Sequence, residues 1–78
     1  MSKLSHIFSS VLGIPENQVT ATLSPENTPT WDSLNAIILL TEIERGFEMR
    51  FEYAEAMNIK SFSEAQKLLA SKGKDPHV

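Results

Sequence analysis

The sequence contains no cysteine, which excludes disulfide staples, cysteine-ligated zinc and thiol catalysis by the chain itself. Basic charge is also scarce: seven Lys and Arg against ten Asp and Glu leave a net charge of −3. Nucleic-acid binding needs a basic face to meet phosphate charge. Lys67, Lys72 and Lys74 are the only cluster, and they make no stripe. No apolar run is longer than the five residues at 36–40, against about 20 for a membrane-spanning helix. The first residues, interrupted by Ser5, His6, Ser9 and Ser10, make a poor signal-peptide core, and Ser2 excludes N-myristoylation. The expected location is the cytoplasm, with no membrane partner. Histidine is limited to His6 and His77, too few for a metal site of the usual kind.

With 78 residues, 41% of them hydrophobic, the chain is expected to form one globular domain over its whole length. A domain this small has little interior left for a cleft once its core is filled, which argues against an independent enzyme. Leu4, Ile7, Phe8, Val11 and Leu12 follow the spacing of a helix with one buried stripe. That helix is placed at Lys3–Leu12, capped by Gly13 and stopped by Pro15. Residues 14–31 read as loop, with Pro15, Pro25 and Pro29 among Asn, Thr and Ser. A connection that long must be pinned to the body, and Val19 and Leu23 are the expected anchors, with Trp31 packed as well.

A second helix is placed at 33–45, closed by Gly46. At about 100° per residue, Ala36, Leu39, Leu40, Ile43 and Phe47 share its core face. Leu34, Ile37, Ile38 and Thr41 fall on the opposite side, so the helix is apolar over too wide an arc. Residues 51–58 hold at most two helical turns, with Phe51 and either Ala54 or Met57 turned inward. Ser61 and Glu64 read as a reciprocal capping box for a last helix to about Ser71, with Phe62, Ala65, Leu68 and Leu69 as its stripe. Residues 74–78 read as a frayed tail. The expected fold is all-α: a small four-helix bundle of three longer helices and a short third one, with a long loop between the first two.

Asp32-Ser33-Leu34 opens the second helix. A serine in a helix's first turn lies beside unpaired backbone N–H groups and the positive end of the helix dipole, where an attached phosphate would be stabilised. Plain capping of the helix by Asp32 or Ser33 explains the same residues. Ser33 lacks the general base that a catalytic nucleophile requires, so any chemistry at its hydroxyl calls for a partner enzyme.

The tripeptide with the apolar helix behind it, then Phe47, the short segment from Phe51, Ile59 and the capped helix from Ser61, resembles the acyl carrier proteins and the related peptidyl carriers. The correspondence runs from Trp31 to Leu69 without a gap and extends to the first helix and its loop. The resemblance implies that Ser33 receives 4′-phosphopantetheine from coenzyme A through a phosphopantetheinyl transferase, and that the terminal thiol carries acyl or aminoacyl groups as thioesters. It places Asp32 and Leu34 on the surface the transferase recognises. Leu34, Ile37, Ile38 and Glu42 are then expected to meet the transferase and the acyl-loading and acyl-using biosynthetic enzymes, with Ile37 equally compatible with packing beneath the loop. Typical fatty-acid carriers have an acid directly after Asp-Ser-Leu and more along the helix; here Asn35, Ile38 and Arg45 stand in those places. Together with Trp31 ahead of the motif, this points away from housekeeping fatty-acid synthesis towards a specialised pathway. Leu39, Leu40, Ile43, Phe51, Met57, Ile59 and Leu68 are the residues expected to line any cleft for an acyl chain, although core packing accounts for each equally well. The competing reading is a helical protein–protein interaction module with a carrier-like fold and an unmodified serine. In either case a monomer is expected.

Overall fold

The amphipathic stripes fold into helices that close on one another. The computed structural model describes residues 2–77 and contains α1 (Lys3–Leu12), a short 3-10 helix (Glu16–Gln18), α2 (Ser33–Phe47), α3 (Tyr53–Met57) and α4 (Phe62–Ser71). Leu4, Phe8 and Leu12 of α1 meet Leu39, Ile43 and Phe47 of α2 and Phe62, Ala65 and Leu69 of α4 in a single core. Leu23 and Trp31 from the long loop complete it. Spacings of three and four put each helix's buried residues on one face. This is the all-α four-helix bundle expected from the periodicity.

Each end of α1 has a local cause. Ser2 Oγ accepts from the Ser5 amide at 3.0 Å, and Gly13, at φ 68°, donates back to the Ser9 carbonyl at 2.9 Å. The second helix ends later than expected. It runs through Gly46 to Phe47, and the left-handed capping residue is Glu48, at φ 51°. That conformation costs a side-chain-bearing residue roughly 1–2 kcal/mol. Met49 closes the end with a bond to the Glu44 carbonyl at 3.0 Å. Gly46 serves packing instead of capping: a Cβ there would lie 3.1 Å from Ile7 Cδ1. The same close approach lets Lys3 Nζ donate to the Gly46 carbonyl at 2.8 Å, placing a cation at the negative end of α2. Its ammonium also lies 5.1 Å from the Phe47 ring centroid.

The loop is pinned at more places than Val19 and Leu23. Val19 is half-buried, whereas Leu23, Thr28 and Trp31 are buried. The Phe62 amide donates to the Leu23 carbonyl at 2.9 Å, tying the loop to the start of α4. Asn27 organises the middle: its Nδ2 donates to the Thr22 carbonyl at 2.9 Å, and its Oδ1 accepts from the Ser24 amide at 3.0 Å and the Thr28 hydroxyl at 2.9 Å. These bonds satisfy polar groups that a loop pressed on a core would otherwise strand.

The third helix departs most from expectation. Ala54 and Met57 point outward, Met57 being 59% exposed, while Phe51 and Ala56 turn partly inward. One turn and a half is too short for periodicity to set its phase. Its start is a capping box formed by Glu52 and Glu55, with the Glu52 amide donating to Glu55 Oε1 at 2.8 Å. At α4 only half of the expected box is present. Ser61 Oγ accepts from the Glu64 amide at 3.1 Å, but among the described residues no return bond from the exposed Glu64 side chain to Ser61 is made. Beyond α4, Lys74 donates to the Leu69 carbonyl at 2.9 Å and Pro76 is buried; Val78 lies outside the described residues.

An ion pair fastens α3 to the end of α4, with Lys72 Nζ 2.8 Å from Glu55 Oε1. The Lys72 hydrogen bond, followed by that from the Glu52 amide, holds the Glu55 carboxyl below the usual carboxylate range. A depressed carboxyl contributes stability that is complete above the ordinary glutamate range and is lost as pH falls through the depressed value. An NMR titration of the Glu55 carboxyl should therefore give a midpoint below that of an exposed glutamate, and Lys72→Met should raise it. The core makes a second prediction. Ile43→Ala, at a side chain only 1% exposed, should cost about 2–5 kcal/mol in denaturant unfolding, and Leu40→Ala, at a half-buried position, distinctly less.

Candidate functional site

The chain reaches Ser33 straight from the core. Trp31 is buried with its ring centroid 5.3 Å from that of Phe8, edge to face, and its amide donates to the Thr28 carbonyl at 2.9 Å. The next residue, Asp32, is extended and caps α2, its Oδ1 accepting from the Asn35 amide at 2.9 Å. The Asp32 carbonyl takes the Ala36 amide, also at 2.9 Å. Ser33 is thus the first helical residue; it is exposed, and its hydroxyl has no hydrogen-bond partner among the described residues. It stands where the helix N-terminus leaves backbone N–H groups without helical acceptors. Asp32, and not Ser33, is the cap.

From Ser33 an apolar stripe runs along the outer face of α2. Leu34 is 67% exposed, Ile37 61% and Ile38 39%. Ile37 therefore does not pack beneath the loop, the alternative that periodicity left open. Thr41 Oγ1 donates to the Ile37 carbonyl at 3.1 Å, so even this polar residue turns its hydroxyl to the backbone. Glu42, half-buried, sits 3.5 Å from Arg45 Nη1 across one helical turn. Asp32 is thus the charged residue at the head of the stripe, and the Glu42–Arg45 pair lies beyond its foot.

On the other side of Ser33 lies an open groove of about 370 Å³ lined by Pro25, Trp31, Asp32, Ser33, Ala36 and Ile59. Trp31, Ala36 and Ile59 also line a small, partly open cavity of about 30 Å³, whose other walls include Leu39, Leu40, Ile43 and Ala56. That is room for a water molecule and far too little for an acyl chain. Of the residues expected around an acyl cleft, Leu39, Leu40, Ile43 and Ile59 meet there. Met57 faces solvent, and Leu68 lines a separate surface groove between α3 and α4 with Glu55, Ile59 and Lys67. Phe51 is half-buried against the core, away from this cavity.

Histidine takes no part in this region. His6 Nδ1 lies 3.2 Å from Glu16 Oε1, joining α1 to the 3-10 helix. Among the described residues no group of three His, Asp or Glu side chains is placed to hold a metal ion, and no helix is long and apolar enough to cross a membrane. Residues that sequence reasoning passed over are Pro25, as a wall of the groove, and Asn35, whose side chain bonds to the loop ahead of the motif. Only the asparagine three residues after a capping aspartate could have signalled the second.

No protein-family model matches the chain. No curated protein matches it either. Among solved structures, the fold is similar to that of a chain from Mycobacterium tuberculosis described as a "putative acyl carrier protein". The two superpose with a TM-score of 0.78 at 23% sequence identity, over 88% of this chain and 92% of that one. At that identity the likeness establishes a shared helical architecture.

Proposed function

We propose that the chain is a non-enzymatic acyl carrier whose Ser33 holds a 4′-phosphopantetheine arm. The observation that carries this reading is an exposed serine hydroxyl, without a hydrogen-bond partner among the described residues, at the first position of a helix whose outer face continues as an exposed apolar stripe. The similarity in fold to a chain described as a putative acyl carrier protein supports it, as does Asp32-Ser33-Leu34 at the helix start.

In the transfer, Ser33 Oγ attacks the pantetheine-bearing phosphorus of coenzyme A. The bond from that phosphorus to the bridging pyrophosphate oxygen breaks, and adenosine 3′,5′-bisphosphate leaves. The serine proton passes to a base on the phosphopantetheinyl transferase. The carrier itself presents the hydroxyl, and its helix N-terminus favours the phosphodiester charge that results. The thiol of the attached arm then carries acyl or aminoacyl groups as thioesters between loading and using enzymes. Leu34, Ile37 and Ile38 form the docking face, with Asp32 at its head and Glu42 at its flank. Because Glu42 is paired with Arg45 and Asn35 and Ile38 are uncharged, apolar contact outweighs charge steering here. A specialised biosynthetic pathway fits such a face better than housekeeping fatty-acid synthesis. The protein acts as a cytoplasmic monomer.

Incubation with coenzyme A and a broad-specificity phosphopantetheinyl transferase should add one phosphopantetheine to the intact mass, and Ser33→Ala should add none while keeping its helical spectrum. A folded wild-type chain that gains no mass would leave the interaction-module reading in possession of the apolar face. Ile37→Glu, at an exposed helical position, should change unfolding stability by no more than about 0.5 kcal/mol yet slow modification of Ser33 by weakening transferase docking. Unfolding of that variant would place Ile37 in the core instead.

A further inference from the structure

We propose that Asn35 is a positioning residue for Ser33, an inference that rests on the carrier reading. Its side chain reaches backwards over the motif: Nδ2 donates to the Thr30 carbonyl at 2.7 Å. Its own amide donates to Asp32 Oδ1 at 2.9 Å. Both bonds run from Asn35, in the first turn of α2, back to the residues before the helix, one from its backbone amide and one from its side chain, and together they span Trp31, Asp32 and Ser33. On the upstream side, the Trp31 amide is held by the Thr28 carbonyl at 2.9 Å and the indole is 5% exposed. The backbone that aims the serine is therefore clamped at Thr28, Thr30 and Asp32, and Asn35 supplies the only side-chain donor of the clamp.

The chemistry of the position selects an amide. A carboxylate is acceptor-only, so an acid here would set its charge against the Thr30 carbonyl and could not make the bond. A hydroxyl side chain is shorter, and alanine has no donor. Asn35 therefore exchanges a negative charge at the head of the docking face for a fixed approach to the serine. Loss of a single hydrogen bond of this kind should raise the population of the loosened loop roughly two- to tenfold.

The test uses the full chain with Asn35→Asp and Asn35→Ala, read in two ways. Trp31 is the only tryptophan, so acrylamide quenching of its fluorescence reports the clamped segment without reference to any modification. Both variants should be quenched more strongly than wild type while unfolding as cooperatively. Transfer from coenzyme A by a broad-specificity phosphopantetheinyl transferase should then show kcat reduced about two- to tenfold in both variants, because the lost bond no longer holds the serine in its reactive approach. Asn35→Asp should show the loss in kcat even if its added charge lowers KM. Wild-type quenching with wild-type kcat in Asn35→Asp would overturn the proposal, as would an effect confined to KM in both variants. If the wild-type chain accepts no phosphopantetheine, the carrier reading fails and takes the role in transfer with it, while the quenching comparison still decides whether Asn35 holds the loop.

Discussion

The Phe8 ring joins α1 to the long loop and to α4, and the placing of Ser33 depends on it. Fully buried on α1, it meets Trp31 edge to face at 5.3 Å and Phe62 edge to face at 4.9 Å. Such pairs prefer the perpendicular geometry because each ring sets a positive edge against a negative face. Here the two contacts link three parts of the chain that are distant in sequence. Trp31 ends the long loop, Phe62 begins α4, and Phe8 is the middle of α1. Since Trp31 stands two residues before Ser33, the position of the serine derives directly from the packing of the core. The site is not a surface feature added to a finished fold.

Much of this architecture is legible in the residues themselves, and the reasons differ by element. The stripes of α1, α2 and α4 span enough turns for a 3.6-residue period to reveal the buried face. Gly13 announces the end of α1 because its left-handed conformation has a local signature. Gly46 misleads for the same reason: a glycine near a helix end reads as a cap, whereas its absent side chain here admits Ile7 from another helix. That is a tertiary fact with no trace in the neighbouring sequence. Glutamate at 52 and 48 is unexpected for a cap and for a left-handed residue respectively, so neither end of the α2–α3 connection follows ordinary preferences. At the site, the outward Leu34 and Ile38 were readable from helical phase, while Asp32 and Ser33 stood out by their place at the helix start and by the resemblance, and Ile37 lay near the boundary between faces. The Asn35 bond to Thr30 spans the start of a helix and could not be read from periodicity at all.

The surface around Ser33 is unusual in its economy of charge. Asp32 is engaged as a cap, Glu42 is matched by Arg45, and Asn35 is neutral. On the carrier reading, an apolar stripe bounded in this way would discriminate partners by shape and by the registration of a few side chains. Salt should therefore matter less to encounters at this face than to those of a strongly acidic helix.

The short α3 has a consequence for how the domain yields. It contributes no fully buried side chain and is fastened at its far edge by the Glu55–Lys72 pair, while the aromatic triad lies wholly in α1, the loop and α4. Local opening free energy follows buried contact. By that measure α3 is the least anchored of the four helices. Because Ala56 of α3 is one wall of the small cavity, a local opening there would begin at α3 and leave the aromatic contacts that fix Trp31, ahead of the serine, in place.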